Sequence, residues 1–261
     1  MKAPHPDWIV PDWPAPANVK AFITTRAGGV SGGAYASLNL GLRTGDDPQA
    51  VAVNRRELRS ALPQEPKWLK QVHGDSVVEA DRLAEAPEAD AAIARRPNTV
   101  CAVLVADCIP VLLTDRAGTA VAIAHSGWRG LASGVLENTL TRMSLPPGQI
   151  IAYLGPGIGP RAFEVGTDVR DAFLAVDAQA QAAFTPHAAG KWLADLYLLA
   201  RQRLARAGVS SIHGGGLCTH SDSQRFFSYR RDHTTGRMAA VIWLSAESAN
   251  SQMTGGMRAE G

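Results

Sequence analysis

The sequence predicts an α+β fold in which mixed β-sheet layers are flanked by helices. Three observations carry this. Val100 to Ala106, Thr119 to Ala124 and Ile150 to Leu154 are short, continuous apolar runs with the length of buried strands. Between and after them lie segments whose apolar residues recur at helical spacing. No internal repeat of roughly 20–50 residues is visible, which sets aside solenoids and propellers.

In chain order, Val19 to Thr25 reads as a strand running into a glycine-rich loop, Ala27 to Gly33. Pro48 to Leu62 has helical spacing through Val51, Leu58 and Leu62, with Asp46 or Asp47 placed to cap it. The runs at 100–106 and 119–124 are the next strands. GWRGLASGVLENTL, after His125, opens a helix that reaches about Met143, and PPGQ makes a turn. The strand at 150–154 ends in the loop GPGIGP. Asp168 to Val176 and Leu193 to Ala207 read as amphipathic helices, the second ended by Gly208. Arg225 to Tyr229 and Arg237 to Leu244 read as a hairpin joined through HTTG. The expected organisation is a Pro/Trp-rich arm over residues 1–18, one domain over 19–244 and a flexible tail over 245–261.

The chain has 261 residues, 46% hydrophobic and 19% charged, which suits a globular protein rather than a disordered one. Its net charge of +2 is spread over interspersed signs, so a small-molecule partner is expected rather than nucleic acid or a membrane. Three cysteines, an odd number, fit a reducing compartment. The N-terminal residues lack an apolar core of signal-peptide length. Thr99 to Leu113 contains Asp107 and Pro110 and is shorter than the roughly 20 residues of a membrane helix. A cytoplasmic location is therefore expected.

Three stretches carry chemistry: QVHG (71–74), ADC (106–108) and AHSGWRG (124–130). Cys108 and His125 each lie at the end of a buried run. Were the two strands parallel neighbours, both side chains would emerge at one end of a sheet, where α/β proteins place their sites. Two imidazoles and a thiolate are good zinc ligands, and three protein ligands leave a fourth position open. The spacings, 34 and 16 intervening residues, form no short metal motif. A metal-free Cys108–His125 nucleophile–base pair fits the same residues, as does ordinary packing. Arg129, at a helix start, and Arg26, beside the glycine-rich loop, are candidate anion contacts; a plain turn and a solvated arginine are the alternatives. Asp107 is placed either to orient a ligand or to cap a turn. Cys101 and Cys218 read as buried and inert.

The stretches TTRAGGVSGGAYASLNLG (24–41), GDDPQAVAVNR (45–55), WLKQVHGDSV (68–77), ADA (89–91), VLVADCIPVLLTD (103–115), VAIAHSGWRGL (121–131), LGPGIGPRAFEVGTDV (154–169) and CTHSDSQRFFSYRRDHTTGRMAAVIWL (218–244) resemble the YfiH-like, or laccase-domain, family. This family carries an older polyphenol oxidase label and is now regarded as one of purine nucleoside phosphorylases. The resemblance covers roughly residues 15–244 and departs at Ser126, where alanine is usual. It implies a cysteine hydrolase-like fold with a single catalytic domain. It also implies one zinc ion on the catalytic residues His73, Cys108 and His125. The implied activity is phosphorolysis of adenosine, inosine, guanosine and S-methyl-5'-thioadenosine, with adenosine deamination at the same site. Phosphate would need cations, for which Arg26, Arg43 and Arg129 are the candidates.

Two other activities attach to the same resemblance: a cysteine amidase editing aminoacyl UDP-MurNAc precursors of peptidoglycan, and copper-dependent phenol oxidation. A multicopper oxidase needs many His and Cys ligands in clustered HxH motifs, whereas this chain has seven histidines and no HxH. A monomer or weak homo-oligomer is expected.

Overall fold

The computed structural model describes residues 1–246. The expected tail therefore lies, from residue 247 onward, outside the described residues.

The strands are β1 (Val19–Ile23), β2 (Val77–Glu79), β3 (Ala91–Ala94), β4 (Cys101–Val105), β5 (Ile109–Asp115), β6 (Val121–Ser126), β7 (Ile150–Leu154), β8 (Glu164–Gly166), β9 (Phe184–Pro186), β10 (Lys191–Ala194), β11 (Ser211–Gly214) and β12 (Met238–Leu244). The helices are α1 (Pro48–Ser60), α2 (Trp128–Ser133), α3 (Val135–Met143), α4 (Thr167–Leu174), α5 (Leu196–Arg206) and α6 (Tyr229–Asp232). A mixed six-stranded sheet runs β11-β7-β5-β6-β3-β2. A second sheet runs β1-β12-β4 and is antiparallel, and a small third one runs β8-β10-β9. The mixed α/β architecture expected from the sequence is thus present.

The apolar runs are continuous because both of their faces are covered. On β5, Ile109, Val111 and Leu113 face a core shared with α2, α3, α4 and α5, while Leu112 faces the second sheet. On β6, Ala122 and Ala124 face the helices, and Val121 and Ile123 face the second sheet. On β4, Cys101, Val103 and Val105 look toward the large sheet, while Ala102 looks outward to Leu58 of α1 and to Leu38 and Leu40. The molecule is therefore layered as helices, six-stranded sheet, three-stranded sheet and α1.

The N-terminal segment lies against this body. Trp8 stacks on Phe22 at 5.0 Å, Ile9 bridges Ile23, and Trp13 meets Tyr153 edge-on at 6.0 Å.

Several local expectations change. β4 and β6 are not parallel neighbours: they belong to different sheets, and β6 pairs antiparallel with β5 and β3. The helix after His125 is broken at Gly134, whose φ of 99° serves as the C-cap of α2 and the N-cap of α3. Leu193 belongs to β10, opposite Glu164 and Thr185. The following helix starts only after Asp195, whose Oδ1 accepts from the Leu198 N–H at 2.9 Å.

The expected hairpin at 225–244 is absent. β12 pairs instead with β1 and β4. Residues 229–232 turn into α6 because Ser228 Oγ accepts from the Arg231 N–H (3.2 Å) and the Asp107 carboxylate accepts from the Arg230 N–H (2.7 Å).

Asp47 is the cap of α1, its Oδ1 accepting from Gln49 N–H at 2.9 Å. The glycine-rich loop is clamped by this helix. Asn54 Oδ1 accepts from Val30 N–H (2.8 Å), and its Nδ2 donates to Ser31 Oγ (2.8 Å) and the Asn39 carbonyl (2.9 Å). Glu57 Oε2 accepts from Gly29 N–H at 2.9 Å. Gly29 has φ +71°, and a Cβ there would lie 2.7 Å from the Ser37 carbonyl oxygen. The loop is a packed turn.

Asn54→Ala would leave these buried partners unsatisfied. The expected loss is about 2 kcal/mol of stability, read as a lower urea midpoint with an unchanged slope.

Candidate metal centre

The antiparallel pairing of β5 and β6 explains how Cys108 and His125 meet. In such a pair the start of one strand lies beside the end of the other. The register sets Ile109 opposite Ser126 and Pro110 opposite His125, so Cys108, just before β5, lies at the end of β6. The chain reaches β5 from β4 through a sharp turn in which Asp107 has φ 95°. The carboxylate of Asp107 accepts from Thr219 Oγ1 (2.6 Å) and from Arg230 N–H (2.7 Å). It therefore fastens the turn to the segment at 219 and to the first turn of α6, and it does not bond to the His73 or His125 ring. The glycines of GPGIGP let that loop close on the turn: a Cβ on Gly157 would meet Ile109 Cγ1 at 2.6 Å.

His73 arrives from outside the strands, on a loop between α1 and β2, with φ 61°. Asp90 fixes its position. This carboxylate is fully buried and accepts the N–H groups of Val72 (3.1 Å), His73 (3.0 Å) and Gly74 (2.7 Å). It also bonds His125 Nδ1 at 2.8 Å, and the Asp90 carbonyl accepts the His125 N–H at 2.7 Å. One side chain thus sets both imidazoles, whose ring centres are 4.9 Å apart. The sequence reading gave Asp90 no role. Its only signal was an acidic residue between alanines at the mouth of an apolar run.

The ligand atoms of His73, Cys108 and His125 all lie within 4.8 Å of one another, and the group could hold a metal ion. Two further features fit an ion. A ligating histidine characteristically gives its other ring nitrogen to a carboxylate, which is the Asp90–His125 arrangement. Gly127 leaves a cradle: a Cβ there would lie 2.7 Å from Cys108 Sγ and 3.4 Å from His73 Cδ2.

The electrostatics favour a thiolate. Burial pushes the Cys108 thiol up, but the His125 charge and the hydrogen bonds from His125 and His73 outweigh it and bring it to about 6. Burial pushes His125 down, and the Cys108 charge with the Asp90 bond lifts it to about 9. Burial likewise acts against the Asp90 carboxylate, yet His125 and the Gly74 and Val72 N–H groups hold it below its ordinary value. Without a metal, Cys108 and His125 therefore form a thiolate–imidazolium pair near neutral pH.

The other candidates fall as follows. Arg26 Nε donates to the Ala36 carbonyl (2.7 Å) and Nη1 to that of Ser223 (2.8 Å). The Arg129 guanidinium lies 4.4 Å from the centre of the Trp128 ring at the start of α2. Arg43 is exposed on a turn. Among the described residues none of these arginines bonds to His73, Cys108 or His125. Cys101 is fully buried and its thiol is pushed up by burial. Cys218 differs from expectation: it is half-buried, and although burial pushes its thiol up, Ser221 and backbone N–H groups bring it below the ordinary value. Ser126 Oγ is buried with no hydrogen-bond partner, and nothing in the structure explains this hydroxyl.

Fold and site together define a mixed α/β protein that, among the described residues, presents one His–Cys–His group, braced by a buried aspartate, at the ends of two central strands of its main sheet. Residues 20–245 match the family described as multi-copper polyphenol oxidoreductase laccase, and the chain belongs to that family. It is 54% identical over 238 residues to a Pseudomonas aeruginosa protein named purine nucleoside phosphorylase, covering 91% of this chain and 98% of that one. It is 56% identical over 239 residues to the Escherichia coli protein named purine nucleoside phosphorylase YfiH, covering 90% and 98%. Among solved structures, a Neisseria meningitidis protein superposes with a TM-score of 0.89 at 54% identity over 92% of this chain and 99% of that one. YlmD of Geobacillus stearothermophilus superposes with a TM-score of 0.80 at 32% identity, over 88% and 93%.

Two outcomes follow. In metal-free protein the thiolate is present above the Cys108 pKa, so the rate of iodoacetamide labelling at Cys108 should rise through about pH 6 and then level off. An ordinary cysteine would rise through pH ~8.5. Asp90→Asn keeps the size but not the charge, and should weaken metal binding roughly 10–100-fold, measured by competition with a chromophoric chelator.

Proposed function

We propose that the chain is a zinc-dependent purine nucleoside phosphorylase, taking adenosine, inosine, guanosine or S-methyl-5'-thioadenosine with phosphate to the free base and the sugar 1-phosphate, and that the same site deaminates adenosine. The observation that carries this reading is the His73–Cys108–His125 group set by Asp90, in a chain more than half identical to proteins named purine nucleoside phosphorylase. His73, Cys108 and His125 would hold the zinc, whose chemistry is Lewis acidity toward a ligand oxygen. Zinc suits the donor set of two imidazoles and a thiolate, and the single three-ligand group among the described residues falls short of a multicopper cluster. Copper-dependent phenol oxidation is correspondingly disfavoured.

In phosphorolysis a phosphate oxygen bonds to the anomeric carbon as the carbon–nitrogen bond breaks. The electron pair leaves with the base, which takes a proton. Within the protein, Asp90 holds His125 in one tautomer and orientation, with Nδ1 toward the carboxylate and Nε2 free for the ligand side. The burial of His125 keeps bulk water from that side of the group. Arg26, Arg43 and Arg129 supply cations for phosphate in this reading.

One observation favours a second reading. Asp90, His125 and Cys108 are linked as orienter, base and nucleophile, as a cysteine hydrolase needs. That arrangement suits a cysteine hydrolase-like fold and an amidase acting on aminoacyl UDP-MurNAc.

The deciding experiment measures zinc per chain together with phosphate-dependent release of adenine from adenosine. Wild type should show both. Cys108→Ala should lose zinc and more than about a hundredfold of activity, since even an outer partner of a ligand is worth 10–100-fold. Amide hydrolysis that persists after chelation would favour the amidase instead.

A further inference from the structure

Arg237, which neither the resemblance nor the spacing of motifs singled out, is joined to the metal group by a short chain of contacts. It leads into β12, and its N–H donates to Asn39 Oδ1 at 2.9 Å. Nη1 donates to the Thr235 and Gly236 carbonyls, both at 3.0 Å, which folds the side chain back over the entry to its own strand. The stem is packed as well: a Cβ on Gly41 would lie 2.9 Å from Arg237 Cγ, so glycine there admits the side chain. The guanidinium carbon lies 5.6 Å from the centre of the Tyr229 ring. Tyr229 opens α6, and the next residue, Arg230, gives its N–H to Asp107 at 2.7 Å. Asp107 is bonded to Cys108 along the chain. Contacts therefore run from Cys108 through Asp107 and the start of α6 to the face of Arg237. The charges agree with this path. Burial lowers the guanidinium from its ordinary value, and Cys108 and Asp107 act to raise it.

What Arg237 lacks is a counter-ion. It is half-buried, yet among the described residues it forms no ion pair with a carboxylate, and Nε and Nη2 have no hydrogen-bond partner. The carboxylate of its nearest acidic neighbour in this chain of contacts, Asp107, is already used by Thr219 and Arg230. Neither free nitrogen is sealed from solvent. Nε and Nη2 form the side edge of the guanidinium, the two-pronged donor that matches two oxygens of a phosphate. A cation held half out of water, oriented and unpaired, is suited to an anion that arrives from outside.

We propose that Arg237 binds the phosphate co-substrate through Nε and Nη2, on the side of the His73–Cys108–His125 group where Asp107 meets α6. The inference rests on the phosphorylase reading for the identity of the anion, and on the geometry for its location.

The test uses zinc-loaded wild type, Arg237→Gln and Arg237→Lys. Inorganic phosphate is titrated calorimetrically without nucleoside, and the KM for phosphate and for adenosine are measured separately. Zinc content and melting temperature are checked in all three. Arg237→Gln should weaken phosphate binding by more than about tenfold, with phosphate KM rising in step and adenosine KM changing much less. Arg237→Lys, which keeps charge but loses the fork, should fall between the two. It also serves if the glutamine variant does not fold. Phosphate affinity equal in wild type and a folded variant, or no phosphate binding by wild type, overturns the proposal. If wild type binds phosphate but releases no base, the phosphorylase reading fails, and the titration of the variants still decides Arg237.

Discussion

The site depends on the burial of one carboxylate. Asp90 has no exposure to water, so its charge is tolerable only because four donors surround it. Three come from consecutive backbone N–H groups of the His73 loop, and one from the His125 ring. Charge-assisted bonds of this kind are stronger than neutral ones. Without them the loop would have little reason to stay against the sheet, because His73 and Val72 are themselves exposed. The carboxylate therefore does two tasks that are inseparable: it draws an irregular segment onto the end of β6, and it fixes the ring that faces Cys108.

The rest of the molecule makes that anchorage rigid. β5 and β6 are covered by helices on one side and by the β1-β12-β4 sheet on the other, so the ends that carry Cys108 and His125 cannot shift without disturbing two cores. Asp107 extends the same logic outward. It ties the Cys108 turn to residues 219 and 230, so this side chain couples the C-terminal third of the chain to the site. Arg237 sits at the far end of that connection.

The sequence was informative where burial dictates pattern, and less so where a single polar contact does. The runs at 100–106, 119–124 and 150–154 were readable because strands covered on both faces need apolar residues at every position. The same uniformity hid their partners, since continuous runs carry no alternation to show which neighbour lies on which side. Leu193 was drawn into the following helix because it falls at helical spacing, although the cap at Asp195 marked the true start. The hairpin near 225–244 failed because Asp107, more than 100 residues away, takes the Arg230 N–H. His73, Cys108 and His125 were nameable by donor type, and the resemblance implied that they converge, but how Cys108 and His125 meet was not legible, because the pairing of β5 with β6 is antiparallel. Asp90 was missed since an isolated acid between alanines looks the same whether it caps a turn or organises a site.

The order of strands in the second sheet bears on how the chain is made. β12 is the central strand, yet it is the last of the described strands in sequence, about 215 residues after the end of β1. At synthesis rates of roughly 5–20 residues per second, β1 and β4 spend on the order of ten seconds or more with their pairing edges open. Open edges invite pairing with other chains. The nascent protein therefore passes through a vulnerable interval that ends only when Met238–Leu244 clears the ribosome and slots between them. Truncation or stalling just upstream of that strand would yield an aggregating product rather than a shortened enzyme.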